Sequence, residues 1–218
     1  MWNAGAVTTS PGLRERKKQA TRDALREAAL RLALERGPEQ VRVEDIAEAA
    51  GVSPRTYNNY FASREQAIVA AVTADREARV ASAVAARPAD VRLADAVADA
   101  VVEQYANTGE GRHEALLLIT TRTALRDAFL GATADVEPVL AAAIAERLAD
   151  TGSHAARVLA ASVAAAVRIA LEDWLQQAGN AGGSGAGLVV PSGSLADRIR
   201  AALAPLAPAF DAAERPAP

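Results

Sequence analysis

Arg55, Thr56, Asn59 and Tyr60 crowd into the short stretch SPRTYNNYF, and together they offer one kind of chemistry, the reading of a nucleic acid. Arginine and asparagine can each place two parallel hydrogen bonds on a base edge in the major groove. Threonine and tyrosine hydroxyls can reach phosphate oxygens, which position a protein without reading sequence. The rest of the chain offers no rival. It has no cysteine and two histidines, His113 and His154. That removes disulfides, thiolate nucleophiles and cysteine-based zinc sites. Neither histidine belongs to a metalloprotease or nucleophile-elbow motif, and each sits where a helix is expected to begin. The glycines of GNAGGSGAG lack the lysine and the preceding strand of a phosphate loop. No catalytic set, metal or cofactor is expected. A helical enzyme, or a helical small-molecule-binding and interaction protein without specific DNA binding, are the alternatives to a DNA reader.

The elements that must hold those side chains are helices. Half of the 218 residues are hydrophobic and only 4% are aromatic; alanine, the best helix former, supplies much of the apolar half, and strand-type clusters are rare. The fold class is all-α, with about nine helices. A first helix is expected over 14–36, with Leu25, Ala28, Ala29 and Leu32 at helical spacing and Gly37-Pro38 as its stop. A second covers 43–50, with Val43, Ile46, Ala47 and Ala50 on one face. Gly51 breaks it. Ser53 caps a third helix over 54–60, in which Pro54 takes the first position. Ser63 and Gln66 make a capping box for a fourth helix reaching 86. Further helices are expected at 91–107, 112–130, 134–150, 154–178 and 194–213, the last shortened or kinked by Pro205 and Pro208. Ser153 and Ser194 are candidate caps. Residues 179–193 read as a flexible glycine-rich linker, and 1–13 as a disordered arm.

Charge is divided unevenly. Residues 1–80 carry 13 basic and 11 acidic residues, and residues 81–218 carry 11 and 16. Both lysines, Lys17 and Lys18, lie in a basic cluster with Arg14, Arg16 and Arg22. A basic head on an acidic body suits a polyanion met at the N-terminal end; a solvated arm would look the same. The opening MWNAGAVTTSPG lacks the basic and apolar regions of a signal peptide. The most apolar run, between Arg157 and Arg168, is short of the ~20 residues a membrane span takes. A cytoplasmic protein is expected.

The stretch VEDIAEAAGVSPRTYNNYFASREQ, residues 43–66, closely resembles the helix-turn-helix of the tetracycline-repressor (TetR) family. Val43, Asp45, Ile46, Ala47, Ala50, Gly51, Val52, Ser53, Thr56, Tyr60, Phe61, Ser63 and Glu65 match the family pattern, and TRDALREAALRLALERG resembles its first helix. The departures are Ala33 for the usual aromatic, with Leu34 as a candidate to refill that space, Arg42 for a capping threonine, Asn58 for an aromatic, and Arg64 for lysine. The resemblance implies an N-terminal three-helix DNA-binding domain over 14–62 and a larger helical domain over 63–218 for ligand binding and dimerisation. It places Ser53, Pro54, Arg55, Thr56, Asn58, Asn59 and Tyr60 at the DNA groove and Arg42 and Arg64 on the DNA backbone; Tyr57 reads as core. Lys17 and Lys18 are either a phosphate or minor-groove arm or a mobile tail.

It also implies a homodimer, paired through helices 154–178 and 194–213, on a near-palindromic double-stranded operator, released by a small effector held among the fourth to seventh helices. Candidates for that pocket are Gln104, Tyr105, Thr120, Arg122 and Arg168, polar groups set in apolar helices, with Leu118, Phe129 and Trp174. The greasy run Leu116–Ile119 with Phe129 suggests a hydrophobic or amphipathic ligand, and Arg122 a partner for an anionic headgroup. Arg168 and Glu172, four apart, can pair along one helix face.

Overall fold

The computed structural model describes residues 12–73, 76–106, 115, 118–149, 154–181 and 194–215. Most of the expected arm, the joints at 108–111 and 151–152, the Ser153 cap, His113, Leu116, Leu117 and most of the expected linker lie outside them. No strand occurs among the described residues. The chain divides into two compact units, Met1–Ala71 and Val72–Pro218.

In the first unit α1 (Leu13–Arg36) buries Leu25, Ala28, Ala29, Leu32 and Ala33, the stripe its spacing predicts. Leu34 is 41% exposed. It does not refill the space behind Ala33, because one step along a helix turns a side chain by about 100°. Gly37, at φ 82°, ends α1, and Pro38–Gln40 make one 3-10 turn. Then come α2 (Val43–Ala49), α3 (Pro54–Tyr57) and α4 (Arg64–Val72), with α2 packed on both α1 and α3. The expected third helix is α-helical only to Tyr57, and residues 58–60 continue as a turn. The expected fourth helix is interrupted: α4 ends at Val72 and α5 begins at Arg76, whose amide donates to the Thr73 carbonyl at 3.1 Å. The β-branched pair Val72–Thr73 is a weak place to propagate a helix.

The second unit holds α5 (Arg76–Ala86), α6 (Leu93–Ala106), α7 (Thr123–Gly131), α8 (Glu137–Arg147), α9 (His154–Ala181), α10 (Leu195–Leu203) and α11 (Ala207–Glu214). The long α9 packs on α8 and on α10; α5 packs on α6 and α8, and α6 on α10 and α11. Leu93, Val97, Leu140, Ile144, Ala160, Leu171 and Ile199 are buried between them. The helix expected over 112–130 breaks at Arg122, which adopts φ −126° and ψ 117° and opens α7. Threonines flank that break, and their hydroxyls compete for backbone bonds: Thr121 Oγ1 donates to the Leu118 carbonyl at 3.2 Å. The Arg126 guanidinium takes up the Thr120 carbonyl at 2.7 Å. The helix expected from 134 starts as a 3-10 turn, Ala132–Val136, with Pro138 in the first turn of α8. α9 continues past 178 to Ala181, into the expected linker. Pro205 and Pro208 do split the last helix, at a 3-10 turn over Ala204–Leu206.

Three contacts tie distant parts of this unit. Arg147 donates to the carbonyls of Arg87 and Val91 at 3.1 and 2.7 Å, fastening the loop between α5 and α6. Arg92 grips both carboxylate oxygens of Asp211 at 2.8 Å. The Leu93 amide, at the start of α6, donates to Glu214 Oε1 at 3.0 Å. By length and composition alone Thr123–Arg147 and His154–Gln177 would be apolar enough to cross a membrane. The first is interrupted by a 3-10 turn, and the second is packed on α8 and α10, as core helices are.

Candidate nucleic-acid interface

The geometry of the α2–α3 pair follows from a few residues. Arg42 precedes α2 in extended conformation and cannot cap it, since a guanidinium has no acceptor. Asp45 supplies a cap in its place: its Oδ2 accepts the Arg42 amide at 3.0 Å. Gly51 turns the chain at φ 69°, a left-handed conformation that glycine adopts at little cost, and the Val52 amide closes on the Ala47 carbonyl at 2.9 Å. Ser53 caps α3, its Oγ accepting the Thr56 amide at 3.1 Å and lying 2.9 Å from Thr56 Oγ1. That hydroxyl pair shares one proton and leaves the other free to donate outward.

Tyr57 anchors α3 from below. It is fully buried, its hydroxyl donates to the Ser63 carbonyl at 2.8 Å, and its ring meets Phe61 at 5.8 Å between centroids. Burial pushes its pKa up from 10.0 to about 12, and the Glu65 carboxylate adds to the shift. The Arg22 guanidinium lies 5.8 Å from the centre of the Phe61 ring, a contact the sequence reading missed because cation–π pairs have no spacing signature. Ser63 Oγ accepts the Gln66 amide at 3.2 Å, while Gln66 reaches back to the Ala62 amide at 2.7 Å.

With Tyr57 pinned inward, Ser53, Pro54, Arg55, Asn58 and Asn59 are exposed, and Thr56 and Tyr60 are half-buried. One face therefore gathers a cation, two amides and hydroxyls. Arg42 is exposed. Lys17 and Lys18 are exposed on α1 rather than on a tail. Arg64, for which the resemblance implies a contact with the DNA backbone, also has partners inside the unit. Its Nη1 donates to the carbonyls of Glu39 and Val41 at 3.1 and 2.9 Å, and its Nε to Glu65 at 2.7 Å, so much of the guanidinium is spent inside the unit. Arg64→Ala is expected to lower the stability of this unit by ~1–2 kcal/mol, the cost of leaving those acceptors without a donor, as read by urea denaturation. An unchanged midpoint would mean that water replaces these bonds.

The pocket candidates are scattered in the second unit. Tyr105 and Phe129 come together around Arg76, whose guanidinium carbon lies 4.5 and 5.4 Å from their ring centres and whose Nη1 donates to the Tyr105 hydroxyl at 3.0 Å. Desolvation raises the Tyr105 pKa, and the Arg76 charge opposes that. Tyr105 lines a cavity of about 20 Å³ with Thr73, Val80, Val101, Thr133 and Val167, room for about one water. The sequence reading did not name Arg76, which is one of three charged residues in the first turn of α5 and stands out from them by no sequence signal. Gln104 is taken by Arg79 at 2.8 Å. Leu118 and Thr120 are half-buried, Arg122 is exposed, and Trp174 is half-buried. Arg168 pairs with Glu172 along α9. None of these lines the Tyr105 cavity.

Residues 25–71 match the profile of bacterial regulatory proteins, tetR family. The chain is similar to the HTH-type transcriptional regulator TcmR of Streptomyces glaucescens, at 35% identity over 151 residues that cover 65% of this chain and 66% of that protein. The match thus spans just under two thirds of the relative's length. Among solved structures it is similar to Thermus thermophilus FadR, a TetR-family transcriptional repressor in complex with lauroyl-CoA (19% identity, 85% of this chain and 92% of that one, TM-score 0.48). It is also similar to a TetR-family transcriptional regulator from Rhodococcus sp. (22% identity, 90% and 100%, TM-score 0.45). Through residues 25–71, this chain carries the domain that marks bacterial regulatory proteins of the tetR family.

Proposed function

We propose that the chain is a sequence-specific transcriptional repressor, working in the cytoplasm as a homodimer on a near-palindromic operator and released by a small effector. The observation that carries this is the exposed face of α3 and its following turn, with Arg55, Asn58 and Asn59 outward and Tyr57 locked beneath. Two such heads would read successive major grooves about one helical turn apart, ~34–36 Å. Pairing is supported by α9, where the apolar Val158 and Ile169 are 62% and 50% exposed and Ala161 and Ala165 lie exposed between them. α10, the 3-10 turn after it and α11 add exposed Ala201, Pro205 and Ala209. Small side chains let helices approach closely.

The effector site is assigned to the cavity lined by Tyr105 and Arg76. It holds little more than a water as it stands, so a hydrophobic or amphipathic effector must open it. That opening is a natural source of coupling to DNA affinity, typically ~1–3 kcal/mol. The test is fluorescence anisotropy of the full chain on DNA from upstream of its own gene and its divergent neighbour, against scrambled DNA at physiological salt. Binding at least about a hundredfold tighter than to the scramble, by a species that sediments as a dimer, is the expected result. Equal, weak binding to both would sink the reading and favour a helical small-molecule-binding protein.

A further inference from the structure

A second, larger cleft of about 320 Å³ opens between α6, α9, α10 and α11. That volume falls in the ~300–1,000 Å³ range of small-molecule sites. It shares only Val163 with the lining of the Tyr105 cavity. Its walls explain its existence. Ala94 and Ala98 on α6 face Ala204 in the 3-10 turn and Ala207 on α11, and these short side chains leave the space between them open. The prolines at 205 and 208 also break the last helix beside it. The floor is Val97, Val163, Leu203 and Phe210, all buried. Protein interiors leave few voids larger than a water, so an apolar cleft of this size is a cost the fold carries unless something fills it.

The mouth says what that is. Asp95, Asp99 and Arg200 line it, each about half exposed. Arg200 is divided between Asp99 at 3.8 Å and Asp197 at 3.9 Å. Arg92 is divided between Asp95 at 3.6 Å and Asp211 at 2.8 Å. Four carboxylates thus share two guanidiniums, an imbalance that a cation corrects and an anion worsens. None of the outward residues offered for pairing, Val158, Ile169, Ala201, Pro205 and Ala209, is among the lining. From the apolar walls and the acidic mouth together, we infer that this cleft binds a small lipophilic monocation, an amine or ammonium on an apolar body. The inference does not depend on the DNA-reading proposal, since it is tested on the protein alone.

The probe is dimethylaminostyryl-methylpyridinium, a monocation whose fluorescence rises on immobilisation, titrated into the full chain beside the anion anilinonaphthalene sulfonate. Saturable binding of the monocation is expected. It should weaken roughly threefold in Asp99→Asn, and about tenfold in the double variant Asp95→Asn/Asp99→Asn, as screened charges predict. Ala98→Leu, which puts three more carbon atoms into the cleft, should weaken it roughly tenfold while the chain still melts cooperatively. Should Ala98→Leu fail to fold, the exposed carboxylate variants decide. No saturable binding, unchanged binding in the double variant, unchanged binding in a folded Ala98→Leu chain, or a sulfonate response equally sensitive to Ala98→Leu overturns the proposal.

Discussion

Arg55→Ala is expected to weaken operator binding by ~1–3 kcal/mol, about 5- to 150-fold, and to relax the preference at one base position. Arg55 is the cation of the exposed α3 face, and no hydrogen bond or ion pair within the described residues holds it back from DNA. A residue that only touched phosphate would lower affinity evenly across sequences. The contrast is built into the chain: Lys17 and Lys18 lie on α1, well before α3 in sequence. Replacing both with alanine should leave base preference intact and, since a dimer loses four such charges, reduce the slope of log affinity against log salt by about 3.6. Anisotropy on a panel of single-base operator variants at several salt concentrations separates the two behaviours. If Arg55→Ala keeps both affinity and base preference, α3 is not the reading element.

Tyr57→Ala should cost the N-terminal unit ~3–5 kcal/mol, the range for emptying a fully buried aromatic site. Against a total of ~5–15 kcal/mol for a typical domain, that is enough to unfold much of it and remove DNA binding without touching any contact residue. Tyr57→Phe isolates the hydroxyl bond to Ser63 and should cost ~1 kcal/mol. The same residue makes the unit sensitive to alkali. Its folded pKa, about 12, lies above the unfolded 10.0, so the folded state holds this proton more tightly. The stabilisation is complete below pH 10 and is lost as pH rises toward 12. Tyr57→Phe should flatten that decline in urea titrations followed by circular dichroism; an unchanged alkaline slope would mean that other tyrosines or the lysines control it.

The helix-turn-helix was legible because the residues that shape it act locally. Gly51, Ser53 and Pro54 specify a turn and a helix start through their own backbone preferences, and the inward place of Tyr57 follows from helical spacing. The helix breaks at Thr73 and Arg122 were not legible. Helix-forming sequence on both sides carries one unbroken helical signal, and what ends each helix is a weak β-branched step, helped at Arg122 by the local grip of Arg126 on the Thr120 carbonyl. Arg64 shows a second limit: its partners at 39 and 41 lie more than twenty positions upstream. Leu34 shows a third, since composition suggests a replacement for the missing aromatic while helix geometry turns it to solvent. The cleft at Ala98 and Ala207 left no trace because alanine is also the ordinary choice for a helix surface.

The bond from the Leu93 amide to Glu214 joins residues 121 positions apart, beside the grip of Arg92 on Asp211, 119 positions apart. The cap on the first amide of α6 therefore cannot form until residue 214 has left the ribosome. A chain stalled earlier presents an α6 without its acceptor and with Ala94, Val97 and Ala98 uncovered by α10 and α11. Domains with such distant closures fold late and expose apolar surface meanwhile. The second unit should accordingly depend more than the first on slow translation or a holdase during synthesis.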